Sequence, residues 1–188
     1  MAKIICPNCS HHFEPNDLFP DDTPTQGAAA GRSGNSFELM IEGMFGSCRV
    51  KAVNDNPEFH YEPQLYPRTD KLLIRKVAVN GWTVDFEFKD FKRALKVPIE
   101  AKQQLGSGST DEKLAHTIDL LIKAAQRFDT PFYWLALGGQ GWGKKMMQTV
   151  QNKINDTNAR HKLKGRVLFN ETNLQRAIHA LVDRGTAF

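Results

Sequence analysis

Asp85, Glu100 and Lys102 are the residues whose types and spacing could do chemistry together. Two carboxylates meeting at the edge of a sheet give hard oxygen ligands of the kind Mg²⁺ prefers. A cation held there polarises a phosphodiester and lowers the pKa of a bound water. An ammonium beside it can position that water and offset charge in the transition state. Glu100 and Lys102 are separated by one residue, Ala101, so on a strand both project to the same face. The segment between Asp85 and Glu100 is long enough for one turn joining neighbouring strands.

The elements that must position these groups follow from periodicity. Ser36–Cys48 puts Phe37, Met40, Ile41 and Met44 on one face, which predicts a helix with Ser36 as its N-cap. Glu58–Tyr66, interrupted by Pro63, and Lys71–Val79 read as strands. Asn80-Gly81 marks a hairpin turn. Trp82–Phe88 is the return strand, with Trp82, Val84, Phe86 and Phe88 on one face and Thr83, Asp85 and Glu87 on the other, polar one. Val97–Lys102 is a further short strand. Ser109-x-x-Glu112 forms a capping box for a helix over Thr110–Phe128. Pro131–Leu137 reads as a buried strand, Gly143–Ala159 as a helix, Arg166–Phe169 as a strand and Glu171–Val182 as a last helix. The expected fold is α/β, a mixed central sheet flanked by helices, preceded by a short N-terminal CxxC head.

This arrangement resembles the PD-(D/E)xK nuclease superfamily, the fold of many type II restriction endonucleases. The resemblance covers about Ser36 to Asp183: a first helix with an acidic residue (Glu38), a strand containing Gln64, the Asp85 strand, the Glu100-x-Lys102 strand, then helix, strand and helix. The segment from Ile99 to Leu114, in which the E-x-K strand runs through a Gly/Ser loop into a long helix, looks especially like those enzymes. The resemblance implies a metal held by Asp85, Glu100 and the main-chain carbonyl of Ala101, with Lys102 and Glu38 completing the catalytic set. It also implies a Mg²⁺-dependent endonuclease acting on double-stranded DNA, restriction-type and homodimeric, in a domain spanning 36–188. Alternatives are a repair or mobile-element nuclease of the same fold, or a non-catalytic DNA-binding protein. Val84 stands where the family often has proline.

Residues 1–35 read as a head and linker. Cys6 and Cys9, with His11 and His12 close behind, suggest half of a zinc knuckle, a candidate structural Zn²⁺ site that Cys48 or His60 could complete. Gly138–Lys144 spells a Walker-like run, but Lys145 follows where a nucleotide-binding loop needs Ser or Thr. Its expected use is a turn, with Lys144 or Lys145 free to meet a phosphate. Candidate DNA contacts are Lys71, Arg75, Lys89, Lys92, Arg93, Lys113 and Lys144, within basic stretches that also hold Arg68, Lys76 and Lys96.

Bulk composition agrees with this reading without forcing it. The chain has 188 residues, 40% hydrophobic and 24% charged, with a net charge of +4, enough for one packed domain and an appendage. A small basic excess suits a polyanionic partner. No apolar run approaches the ~18–20 residues of a membrane span, and the N-terminus lacks the apolar core of a secretory signal. Three cysteines make no disulfide framework, which points to a cytoplasmic protein.

Overall fold

The computed structural model describes residues 4–5, 12–13, 26–54, 70–105 and 111–186, with side chains described over 36–53, 70–105 and 114–186. The chain divides into two compact units, Met1–Arg32 and Ser33–Phe188. In the first, two short strands, β1 (Ile4–Ile5) and β2 (His12–Phe13), pair antiparallel. Helix α1 (Gln26–Ser47) follows. It begins ten residues before the expected N-cap at Ser36, so residues 26–35 are helical where the sequence suggested linker. The Ala28–Ala30 run favours this extension, while Gly27, Gly31 and Gly34 oppose it.

The second unit is built on a six-stranded sheet in the order β3 (Lys51–Asn54), β4 (Lys71–Val79), β5 (Trp82–Asp90), β6 (Leu95–Gln103), β7 (Phe132–Gly138) and β8 (Lys164–Phe169). Strands β4, β5 and β6 form an antiparallel meander, and β3/β4, β6/β7 and β7/β8 pair parallel. The helices α2 (Asp111–Arg127), α3 (Lys144–His161) and α4 (Glu171–Arg184) supply the crossovers and the end. Strand β3 was not anticipated; the expected strand Glu58–Tyr66, with Gln64, lies outside the described residues, as does His60.

Two apolar layers enclose the sheet. On one face Phe37, Ile41 and Phe45 of α1 and Leu174, Ile178 and Leu181 of α4 pack on Leu73, Phe86, Phe88, Val97, Ile99 and Trp134. On the other, Leu114, Ile118 and Leu121 of α2 and Val150 and Ile154 of α3 pack on Val79, Val84, Tyr133, Leu135 and Leu137. The helical spacing of these residues therefore served burial on both sides. None of the helices among the described residues is long and apolar enough to cross a membrane.

The expected alternation along β5 fails at one point. Val84 joins the α2/α3 layer, whereas Phe86 and Phe88 join the α1/α4 layer. On β4, Leu73 and Val79 likewise fall in opposite layers although they share parity. Lys76 lies between them with φ +51°, a left-handed conformation that turns the rest of the strand over. Trp82 and Thr83 are exposed and Asp85 and Glu87 are buried, so two of the three residues on the expected polar face are enclosed.

Candidate active site

The hairpin register counted from Asn80-Gly81 places Lys76 opposite Asp85, between the Arg75↔Phe86 and Val77↔Val84 pairs. Both turn residues have positive φ, 50° and 83°, as the tight hairpin requires. On the other side of β5, pairing with β6 begins at Phe86↔Ile99, so the ladder stops just before Asp85 and Glu100. There the side chains take over from the backbone. The Asp85 N–H donates to Glu100 Oε2 at 3.2 Å, and the Ala101 N–H donates to Asp85 Oδ2 at 2.9 Å. Each carboxylate thus caps the opposing strand where a ladder bond is missing, and buried N–H groups stay satisfied.

The remaining oxygens are held by ammonium groups. Lys102 Nζ donates to Glu100 Oε1 at 2.5 Å, and Lys76 Nζ donates to Asp85 Oδ1 at 2.8 Å. Lys76 Nζ also lies 2.6 Å from Glu38 Oε2, tying helix α1 to the β4–β5 hairpin. Glu38 is set by its neighbour: Phe37 packs so closely over Gly138 that a Cβ there would lie 2.3 Å from its ring. Arg75 completes the cluster, 3.0 Å from Glu42 and 3.9 Å from Glu38.

Burial and like charge shape the electrostatics. Asp85 is 8% exposed and Glu100 4%. Burial, then the charge of Asp85, raise the Glu100 pKa, with Lys102 opposing them in part. Burial would lower the Lys76 pKa, but its hydrogen bonds to Asp85 and Glu38 raise it above the ordinary lysine value. Burial also raises Glu42 against the pull of Arg75. Four carboxylates (Glu38, Glu42, Asp85, Glu100) face three cations (Arg75, Lys76, Lys102). An all-oxygen donor set in surplus over its counter-charges fits a divalent cation. Among the described residues no group of three or more His, Cys, Asp and Glu side chains stands arranged to hold a metal ion, and each oxygen of Asp85 and Glu100 has a protein donor.

A family model described as the PD-(D/E)XK nuclease superfamily domain matches residues 29–182. The chain belongs to the PD-(D/E)XK nuclease superfamily. No curated protein and no solved structure matches it. The nuclease domain takes in most of α1, the whole six-stranded sheet and nearly all of α4, and nucleases of this superfamily generally use Mg²⁺ or a similar divalent metal.

Within this nuclease domain the expected acidic residues Asp85, Glu100 and Glu38 and the ammonium of Lys102 come together. Ala101 is held by its N–H on Asp85. The expected DNA contacts scatter. Lys71 is buried and lies 2.6 Å from Asp70 and 3.4 Å from Asp90, so its charge serves the interior and not a surface. Arg93 is tied to Asp90 at 2.6 Å and to the Asp183 carbonyl at 3.2 Å. Arg75 serves the acidic cluster. Lys89 pairs with Glu87 at 3.2 Å, while Lys92 and Lys144 are exposed. The Lys113 side chain lies outside the described residues.

The zinc candidates Cys6, Cys9 and His11, and the side chain of His12, also lie outside the described residues. Cys48, which could have completed that site, is buried in the core with its sulfur 3.6 Å from His179 Nδ1. The Walker-like run is a structural turn. Gly139, at φ +85°, packs its backbone against the Gln104 carbonyl, the Gly141 N–H donates to that same carbonyl at 2.8 Å, and Trp142 Nε1 donates to Gly138 O at 2.7 Å.

Two site residues escaped the sequence reading. Lys76 appeared only as part of a basic stretch, although counting the hairpin register back from Asn80-Gly81 would have set it opposite Asp85. Trp82 stood on one strand face with Val84, Phe86 and Phe88, and nothing in the sequence marks it as the one of these left exposed.

Proposed function

We propose that the chain is a Mg²⁺-dependent endonuclease that hydrolyses phosphodiester bonds in double-stranded DNA, sequence-specific in the manner of restriction enzymes and working as a cytoplasmic homodimer. The observation that carries this reading is the facing of Asp85 and Glu100 across the interrupted β5/β6 ladder, with Lys102 on Glu100. Asp85, Glu100 and the Ala101 carbonyl would hold the metal, with Glu38 brought to the same place by α1. When bound, such a metal polarises the phosphodiester and makes a water more acidic.

The protein's own groups do the rest. Lys102 holds a positive charge beside Glu100, where it offsets negative charge developing on the phosphate. Lys76 neutralises Asp85 and Glu38 at rest, and its half-exposed ammonium has room to withdraw when another cation takes those oxygens. The hairpin holds Lys76 left-handed at a cost of about 1 kcal/mol, strain of the kind that functional sites hold. Burial of the two carboxylates keeps the electrostatics strong by excluding water. Exposed Lys92 and Lys144 are the proposed backbone contacts, adding non-specific affinity.

Incubation of supercoiled plasmid with and without Mg²⁺ tests the reading. Discrete Mg²⁺-dependent fragments are expected. A smear would remove the sequence specificity, and intact plasmid that is nonetheless bound would favour a non-catalytic DNA-binding protein. The head is proposed to bind structural zinc through Cys6, Cys9 and one of His11 and His12. Metal analysis of protein purified without chelator should then find zinc in stoichiometric amount.

A further inference from the structure

Beside Glu100 and Lys102 the sheet opens into a cleft of about 520 Å³ whose other walls are Trp82, Thr83, His116, Thr117 and Leu120. The cleft is open to solvent, and its volume falls within the usual range of small-molecule sites. Trp82 is 50% exposed, while Trp134 and Trp142 are 0% and 8% exposed. It follows the Asn80-Gly81 turn directly, at the first position of β5, whereas Val84, two residues on with the same parity, is buried in the α2/α3 layer. His116, on the first turns of α2, meets the indole edge-on with centroids 4.6 Å apart and planes at 66°. This contact fixes the indole and leaves much of it uncovered.

A half-exposed indole keeps a flat apolar face in water, and apart from one N–H that can donate to a phosphate oxygen that face adds nothing to binding a phosphate. It has an evident partner only if a flat apolar group arrives with the substrate. The cleft shares Glu100 and Lys102 with the proposed hydrolytic site, so a phosphate placed there brings its neighbouring nucleotide to Trp82. In an intact duplex the faces of the bases are covered by one another. A base must leave the stack before an aromatic side chain can lie on it.

We propose that Trp82, braced by His116, is a stacking subsite for an unstacked base next to the scissile phosphate, so that the substrate is DNA carrying an unpaired or easily unpaired nucleotide at the cut. The inference rests on the hydrolytic reading of Asp85, Glu100 and Lys102. It adds to that reading the state of the DNA that the site accepts.

Trp82 emission in the full chain, with Ca²⁺ in place of Mg²⁺, provides the test. Titration with oligothymidylate should quench the emission, and Trp82→Phe should abolish the quench because the other tryptophans are buried. Trp82→Ala should weaken oligothymidylate binding by about 5- to 100-fold. A fully paired duplex of equal length should lose no more than about twofold, because its bases stay covered. Trp82→Phe keeps a stacking ring and should retain most of the affinity, which separates lost stacking from lost folding. In Mg²⁺, a duplex with one mismatched nucleotide should be cut faster than a fully paired one, and Trp82→Ala should shrink that advantage. Equal losses on single-stranded and paired DNA, or no quench with Mg²⁺-dependent cutting intact, would overturn the stacking subsite alone. Failure of the wild-type chain to cut plasmid, mismatched duplex or single strand in Mg²⁺ would instead overturn the hydrolytic reading on which the subsite depends.

Discussion

Strand β5 carries a buried aspartate toward each end, Asp85 and Asp90, and the two sit in opposite electrostatic settings. They are five residues apart, about 17 Å along a strand. Asp90 is ringed by donors: Arg93 Nη1 at 2.6 Å, Lys71, which it shares with Asp70, at 3.4 Å, and the N–H groups of Lys92 and Arg93 at 3.1 and 3.2 Å. Burial would raise its pKa, but the hydrogen bonds from Arg93 and the charge of Lys71 hold it below the ordinary aspartate value. Asp85 faces another buried carboxylate, and the cost falls on Glu100, whose pKa is raised. Both ends satisfy their oxygens. The Asp85 end sets two buried carboxylates directly against each other, as is expected where a cation is to be held.

The contrast is broken most decisively by exchanging the consequences of mutation. Glu100→Ala should lower single-turnover cleavage by at least about a thousandfold, several kcal/mol of transition-state stabilisation, while thermal stability without metal is unchanged or rises. Near-normal cleavage by this well-folded variant would end the hydrolytic reading. Asp90→Ala should do the reverse. It leaves Lys71 with Asp70 alone, removes the carboxylate that anchors Arg93 and takes the acceptor from the Lys92 and Arg93 N–H groups, costing about 1–3 kcal/mol of stability, with cleavage per folded molecule preserved. Chemical denaturation of both variants, run beside the cleavage assay, checks the exchange.

Lys102→Ala sharpens the comparison within the site. A lysine that only grips a phosphate stabilises ground and transition states alike, so its loss weakens binding and flattens the salt dependence. Held on Glu100, Lys102 is placed to act where charge develops. Its removal should slow single-turnover cleavage by about 10²- to 10³-fold while Ca²⁺-supported DNA affinity changes by no more than a few-fold. A large affinity loss with an unchanged rate would make it a phosphate clamp.

The smallest expected effects are in pH. Asp90 has a folded pKa below its usual 3.8, so its stabilisation is complete above that value and fades as pH falls through the folded one. Glu100 has a folded pKa above its usual 4.5, so the fold binds its proton more tightly than the unfolded chain does. Its contribution is present at or below that usual value and is lost as pH rises through the raised one. Denaturation across this range, without metal, should show Asp90→Asn flattening the acid limb and Glu100→Gln flattening the decline above it.

The exchange between the two carboxylates was only half legible in the sequence. The E-x-K strand and the acidic residue upstream picked out Asp85, Glu100 and Lys102 as candidates, because strand parity is a local property and a buried strand fixes where its charges go. Asp90 drew no notice, since nothing local separates an aspartate at a turn from one enclosed by Arg93 and by Lys71 from another strand. Lys71 and Arg93 were read as surface cations for the same reason: burial of a charge depends on partners distant in sequence.

By itself the sequence determined the α/β class, the Asn-Gly hairpin, the amphipathic helices over the sheet and the pairing of Glu100 with Lys102 on one strand face. Each follows from period, turn chemistry or near-neighbour spacing. Tertiary structure alone decided that the β5/β6 ladder stops at Asp85, that Lys76 joins Asp85 to Glu38 of α1, and that the hairpin changes face near Lys76 while Trp82, at its end, stays exposed. Those outcomes depend on one left-handed backbone angle at Lys76 and on contacts between elements far apart in the chain. No local pattern encodes an angle that is unfavourable for its own residue and is held by the hairpin pairing and the charges packed around it.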